Sequence, residues 1–398
     1  MALNAAIVWE VRTTGSDNNG GGFKTGASGT DRSQQAAAQA TLTALSLIHT
    51  TTTQINVSLT DYTVVAADVG NVLHVTGGTA TPGYYEITAV DTVNNRWTVD
   101  RSVGTAAQTV VGAMGGSLAS PGEALTTALI VTGQKCYIAG GTYTLTTSTP
   151  GAGGPVNTPT NIQYYVEGYQ TTRGDLGTRP IIHAGAVTGV TLWQNNQATV
   201  ANRAVVVNLE LNGNSGTGNN GFGSAQGYYV TYKCIARNFN AAATNIGYGS
   251  FQESIRCEAY ACGIGFNVFQ PAFCYARDCT DYGFSMNGSV RFINHCIAVD
   301  CDHGFENIGG NACAIYNCSA YSCTDDGFHT TTAGGLYANC VAVSNGGYGF
   351  GGSTTLRQTF INCATFNNTS GSIETANPLF ASPTALSGDL AVTSFSIP

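Results

Sequence analysis

From Cys234 to Asn368 the apolar positions of the chain recur as one short unit. Cys257-Glu-Ala-Tyr-Ala-Cys262 leads to Gly-Ile-Gly-Phe266, and Cys274-Tyr-Ala-Arg-Asp-Cys279 leads to Thr-Asp-Tyr-Gly-Phe284. Cys296 and Cys301 end at Phe305, Cys318 and Cys323 at Phe328, and Cys340 and Asn345 at Phe350. Cys363 and Asn368 form a last copy, and Cys234 opens a looser first one. Along positions 234, 257, 274, 296, 318, 340 and 363 the steps are 23, 17, 22, 22, 22 and 23. A repeat of this length is too short for a pair of helices, and it lacks the leucine pattern of leucine-rich repeats. It fits three short strands joined by bends, one coil per repeat. The cysteine and the small residue two positions on (Ala259, Ala276, Ala298, Ala320, Ala342) share a strand face. Coils stacked about 4.8 Å apart would turn each column into a file of like side chains. The Gly-Phe ending supplies a turn and then a large interior side chain. Asn345 and Asn368, in the second column, set that column at or beside a turn.

The expected fold is all-β: a single-stranded right-handed parallel β-helix with coils of about 22 residues, plus a small inserted antiparallel β barrel or sandwich. Less regular coils extend the pattern upstream, in Lys135–Tyr143, Asn161–Tyr169, Pro180–Trp193 and Arg203–Gly213. Ser120-Pro-Gly-Glu123 has N-cap, N1 and N3 spacing, and Ala124, Leu125, Ala128 and Leu129 then share a face. A short helix there would cap the coil stack. Residues 49–112 read as the inserted domain, with strands at Gln54–Leu59, Asn71–Val75, Tyr84–Val90 and Arg96–Asp100 and a Thr-Val-Asn-Asn hairpin turn. The Ala- and Gln-rich run Asp31–Ser46 is expected to be a helix. The organisation is then 1–48 opening segment, 49–112 inserted domain, 113–376 β-helix with cysteine-ladder coils over 234–370, and 377–398 closing segment.

Composition narrows the partners. Charged residues make up 10% of the chain, where about 25% is usual, and glycine is abundant at 51 residues. Three lysines (Lys24, Lys135, Lys233) and a net charge of −8 argue against nucleic acid. No apolar run is long enough for a membrane span, and the first residues do not read as a secretory signal. The 13 cysteines have three readings. Metal binding needs converging Cys or His pairs, which the Cys-x4-Cys spacing does not give. Disulfides between coils are within reach, but stacked side chains point in parallel. Buried free thiols acting as small hydrophobes fit best. The core ladder is then Cys234, Cys257, Cys274, Cys296, Cys318, Cys340 and Cys363, with Cys262, Cys279, Cys301 and Cys323. No cofactor and no metal are expected.

These residues resemble known proteins. Lys135-Cys-Tyr-Ile-Ala-Gly-Gly-Thr-Tyr143 looks like the first coil of pectate-lyase-like β-helix proteins, and Asp325-Asp326-Gly327-Phe328 like their later coils. Asn377-Pro-Leu-Phe380 with Gly388-Asp-Leu390 resembles their closing segment. Trp9–Asp17 with Gly20–Phe23 resembles the opening of tailed-phage structural proteins of this class. The resemblance implies enzymes that cut polysaccharides, lyases with a Lys or Arg base and calcium, and hydrolases with paired carboxylates. No lysine follows Lys233, while Arg256, Arg277 and Arg291 have no set spacing to the acids. Asp302, Glu306, Asp325 and Asp326, with His303 and His329 nearby, are candidate catalytic residues, read alternatively as solvated turn acids. Tyr228, Tyr229 and Tyr232 form the one local tyrosine cluster suited to sugar stacking.

The expected role is a non-enzymatic phage virion protein that decorates or stabilises the capsid. It would be made in the host cytoplasm, form a homotrimer by analogy, and contact other virion proteins such as the major capsid protein. The alternative is a tailspike-like or fibre-like protein that binds a cell-surface glycan, or a depolymerase using flank carboxylates.

Overall fold

Strand Ile7–Val11 (IVWEV) is buried at every position, and its parallel neighbour is not the next strand in sequence but Lys135–Ala139, with Trp9 opposite Cys136. The computed structural model that shows this describes residues 3–380, except 126–128, 161, 197–202, 225–228, 241, 243, 250–251, 287–290, 309–312, 332–334, 353–357 and 374–378. The expected closing segment therefore lies almost wholly outside the described residues. The chain divides into two compact units, Met1–Val187 with Leu192–Glu210 and Ala225–Tyr228, and Thr188–Thr191 with Leu211–Ser224 and Tyr229–Pro398.

In the first unit, Lys135–Ala139 pairs in parallel with Tyr164–Tyr169, and that strand with Ala204–Val207. In sequence between Ile7–Val11 and Lys135–Ala139 comes a seven-stranded sheet spanning Ala40–Leu42 to Val110–Met114, whose strands pair antiparallel. Its core holds Trp97, Ile55, Ile87, Leu73 and Met114. The sheet starts earlier than the sequence suggests. Residues 31–46 form turns, bends and the short strand Ala40–Leu42, not a helix. Residues 34–37 are exposed and offer no apolar face to bury, so alanine's small helix propensity has nothing to assist it. Ala40–Leu42 instead pairs with Gly112–Met114. The one-turn helix Pro121–Ala124 does form, with the Ser120 hydroxyl accepting from Glu123 N.

Buried Glu10 organises this unit. Its carboxylate accepts from Arg173 Nε at 2.8 Å and Arg12 Nε at 2.9 Å, and also from the Tyr169 hydroxyl. Arg173 continues to Asp31 at 3.1 Å and Ser33 Oγ at 3.2 Å. A buried charge is tolerated when it is paired in this way.

The second unit is a parallel β-helix whose coils each give one strand to three sheets. In the coil of Cys296 these are Arg291–Asn294, Ile297–Val299 and His303–Asn307. Two bends per coil rest on single left-handed residues. One stands before each first-column cysteine: Lys233, Arg256, Phe273, His295, Asn317, Asn339 and Asn362, with φ between +50° and +55°. The other stands before each second-column residue, for example Asp278, Asp300 and Ser322. The second column itself points inward. Cys262, Cys279, Cys301, Cys323 and Asn345 are buried, and Asn345 Oδ1 accepts from Cys323 N at 3.0 Å. Asparagine enters this column as an interior hydrogen-bonding group, and the turn lies one residue earlier.

All thirteen cysteines are buried and free. Burial pushes the Cys262 thiol up to about 12, so it stays neutral. Beside this ladder runs an aromatic file, Phe222, Tyr248, Phe266, Phe284, Phe305, Phe328 and Phe350, with rings 4.6–5.0 Å apart and nearly parallel. The glycine before each phenylalanine is not a turn residue. Gly304 lies inside a strand, and a Cβ there would meet Ala320 Cβ at 2.9 Å and Cys323 Sγ at 3.2 Å. Glycine stands there because the ladder needs the room.

The bends make a testable point. A left-handed conformation costs an ordinary residue roughly 1–2 kcal/mol, and asparagine much less. Phe273 adopts it with its side chain 53% exposed. Phe273→Asn is expected to stabilise the protein by about 1 kcal/mol, read as a rise in the urea midpoint. A fall would mean that the ring stacked 4.7 Å from His295 contributes more than the strain costs.

Candidate functional site

Counting back three residues from Phe284, Phe305 and Phe328 gives Asp281, Asp302 and Asp325, one acid per coil at the second bend. Counting back two gives Tyr282, His303, Asp326 and, before Phe350, Tyr348; Tyr282 and His303 are register partners. Counting on one gives Ser285, Glu306 and His329, again register partners, then Gly351. The repeat thus stacks five carboxylates, two imidazoles and two phenols along the edge of the third sheet.

The carboxylates differ in environment. Asp325 is exposed, Asp281 and Asp302 are half-buried, and Asp326 and Glu306 are buried at 5% and 1% exposure. Asp302 Oδ1 accepts from the Thr324 hydroxyl at 2.6 Å. Asp326 Oδ1 accepts from Tyr348 N at 2.6 Å, and the next coil makes room for it. A Cβ at Gly351 would collide with its Oδ2. His329 Nδ1 is 2.9 Å from Glu306 Oε2 and 3.9 Å from Asp326 Oδ2, so those two oxygens are within about 7 Å of each other. His303 Nε2 is 3.8 Å from Asp325 Oδ2, and the two imidazole rings are 4.8 Å apart.

Titration follows environment. Burial raises Asp326 above the ordinary carboxylate range, and the Asp325 charge adds to this against the Tyr348 N–H bond and the His329 and His303 imidazoles. Burial also raises Asp281, with Asp302 adding to it. Tyr282 is pushed up to about 12 by burial and by Asp281 and Glu306. For His329 burial favours the neutral ring, but Glu306, Asp326 and Asp325 together outweigh it and raise its pKa.

Of the residues singled out from sequence, Asp302, Glu306, Asp325 and Asp326 come together here with His303 and His329. Asp326 and Glu306 are not solvated turn acids, since the neighbouring coil covers them. Arg277 stacks over Tyr260 at 4.1 Å on the second sheet. Arg291 is buried on the first sheet, bonded to Asn267 Oδ1 at 2.9 Å. Neither arginine is a base beside the acids. Tyr229 is buried, Tyr232 half-buried, and Tyr228 lies outside the described residues. The sequence reading missed Asp281, Tyr282 and Tyr348. The offset from the Gly-Phe position that marks Asp302 and Asp325 marks Asp281 equally.

No family model and no curated protein matches the sequence. Among solved structures, the chain is similar to the catalytic unit of a thermostable GH87 α-1,3-glucanase from Streptomyces thermodiastaticus strain HF3-3, at 9% identity and TM-score 0.37 over 80% of this chain and 86% of that one. It is also similar to two complexes of one substituted GH87 α-1,3-glucanase catalytic domain. One, in complex with nigerose, matches at 11% identity and TM-score 0.36. Another, in complex with tetrasaccharides, matches at 9% and 0.30, and each covers 79% of this chain and 88% of that one. At such identity the likeness concerns the fold. The expected role as a non-enzymatic virion protein is nevertheless corrected. The third-sheet edge carries five carboxylates and two imidazoles, with Asp326 and Glu306 buried, a cluster that a passive scaffold does not require.

Proposed function

We propose that this protein hydrolyses a neutral polysaccharide on the third-sheet edge of its β-helix. The observation that carries the reading is the contrast among neighbouring acids. Asp326 is buried with a raised pKa, while Asp302 and Asp325, on adjacent coils, face solvent wholly or in part. Carboxylates held in environments that separate their protonation states are what acid–base cleavage of a glycosidic bond needs. Asp326 donates its proton to the glycosidic oxygen as the C–O bond breaks. Asp302, assisted by Asp325, takes a proton from the water whose oxygen bonds to the anomeric carbon. Tyr282 and Tyr348 flank the acids in one file and offer faces for sugar rings. Five clustered carboxylates repel polyanions, which favours glycans without uronate or sulfate groups.

The test is the release of reducing ends from a panel of neutral α- and β-glucans, galactans and mannans by the full chain. The Asp302→Asn/Asp326→Asn double variant serves as the control. Release by the wild type and none by the double variant is expected. No release from any substrate, or equal release by both proteins, would overturn the reading.

A further inference from the structure

We infer that His303, His329, Asp326 and Glu306 form a binding site for a divalent transition-metal ion of the zinc type. One ligand atom from each of His303, Asp326 and His329 lies within 4.8 Å of the other two. Two of these residues come from one coil strand and its bend, and His303 comes from the coil before, so the stacking of the β-helix builds the set.

A second, independent observation points to a ligand. Glu306 is 1% exposed, and its Oε2 makes no aligned hydrogen bond although His329 Nδ1 is 2.9 Å away. His303 Nδ1 is likewise shut off from solvent and has no hydrogen-bond partner among the described residues. Buried polar atoms normally find partners. Here a buried carboxylate oxygen paired with one imidazole nitrogen stands beside a second imidazole and a second buried carboxylate. A cation held between them would serve all of these donors at once.

The donor set selects the ion. Two imidazoles with one or two carboxylates suit zinc and its first-row neighbours, whereas calcium and magnesium call for all-oxygen shells. Metal–ligand bonds of about 2.0–2.2 Å bring tetrahedral donors to roughly 3.5 Å from one another. The ligand atoms of His303, Asp326 and His329 lie within 4.8 Å of one another, so closing the set draws them together by about 1 Å. The site shares Asp326 with the hydrolytic reading but does not depend on it. An ion there would take Asp326 out of service as a proton donor.

The experiment measures metal binding with no glycan present, so it stands whether or not hydrolysis is found. Full-length chain stripped with chelator is titrated with Zn2+ by calorimetry and with Co2+ by visible absorption. One equivalent per chain is expected, with the intense d–d bands of a four-coordinate site. His303→Ala/His329→Ala is expected to weaken binding at least 100-fold and Asp326→Asn at least tenfold. Melting curves in chelator check that the variants fold, and Glu306→Gln and His329→Gln are titrated separately should the double variant not fold. Absence of a stoichiometric site in the wild type, or unchanged binding in folded histidine variants, would overturn the assignment.

Discussion

Replacing Phe305 with alanine is expected to destabilise the protein by about 3–5 kcal/mol, the usual cost of removing a fully buried aromatic side chain. Phe305 is 0% exposed and lies between Phe284, 4.8 Å below it, and Phe328, 4.7 Å above. The deletion therefore removes two ring stackings as well as the buried area. The site has little freedom to collapse. Gly304 is already packed against Ala320 and Cys323, and neighbouring coils are tied at fixed spacing by parallel hydrogen bonds. Phe305→Leu, which keeps most of the volume, should cost much less. Phe292→Ala, at a side chain 48% exposed, should change stability by no more than about 0.5 kcal/mol. Chemical denaturation of the three variants checks the ranking. A Phe305→Ala effect as small as that of Phe292→Ala would mean the aromatic file is not what holds the coils together.

Asp326→Asn is expected to lower kcat on the responsive glycan by roughly 10²–10⁴-fold with little change in KM, the range general acid catalysis contributes. Asparagine keeps the shape and can still accept the Tyr348 N–H bond, but it has no proton to give. The pH profile separates this role from a structural one. Burial raises Asp326 above its ordinary value of 3.8, so wild-type activity should extend above the usual carboxylate range and decline as Asp326 ionises. The variant should lack that alkaline limb. Asp302→Asn should lower kcat comparably. Stability carries the same sign. A raised carboxyl pKa means that the fold favours the protonated form, so this contribution is present at low pH and is lost as pH rises through the folded value. Asp326→Asn removes that dependence, and its melting temperature should fall less than that of the wild type over the same interval. An unaltered rate in the variant would exclude Asp326 as the acid.

The repeat was legible because its geometry is local. A strand alternates side chains between its faces, and a file of like residues needs only a constant step between coils. Cysteine, alanine and phenylalanine at fixed offsets therefore gave the coil, its interior and the short strands directly. Asp302, Glu306, Asp325 and Asp326 were visible as a group because the same step carries outward positions along with inward ones.

Other features depended on competition that a local pattern does not contain. The Ala-rich run over 31–46 gave way to sheet pairing with Gly112–Met114, because helix propensity of a few tenths of a kcal/mol per residue is a weak preference without a face to bury. The glycine before each phenylalanine looked like a turn residue, yet only the packing shows that it is there to leave space. The coil repeat, the inward thiols and the grouping of the acids can be read from residue order. Which acids are buried depends on packing, because the cover over Asp326 and Glu306 comes from the neighbouring coil. Burial, and with it protonation state and unsatisfied donor atoms, belongs to the stack and not to any single stretch of chain.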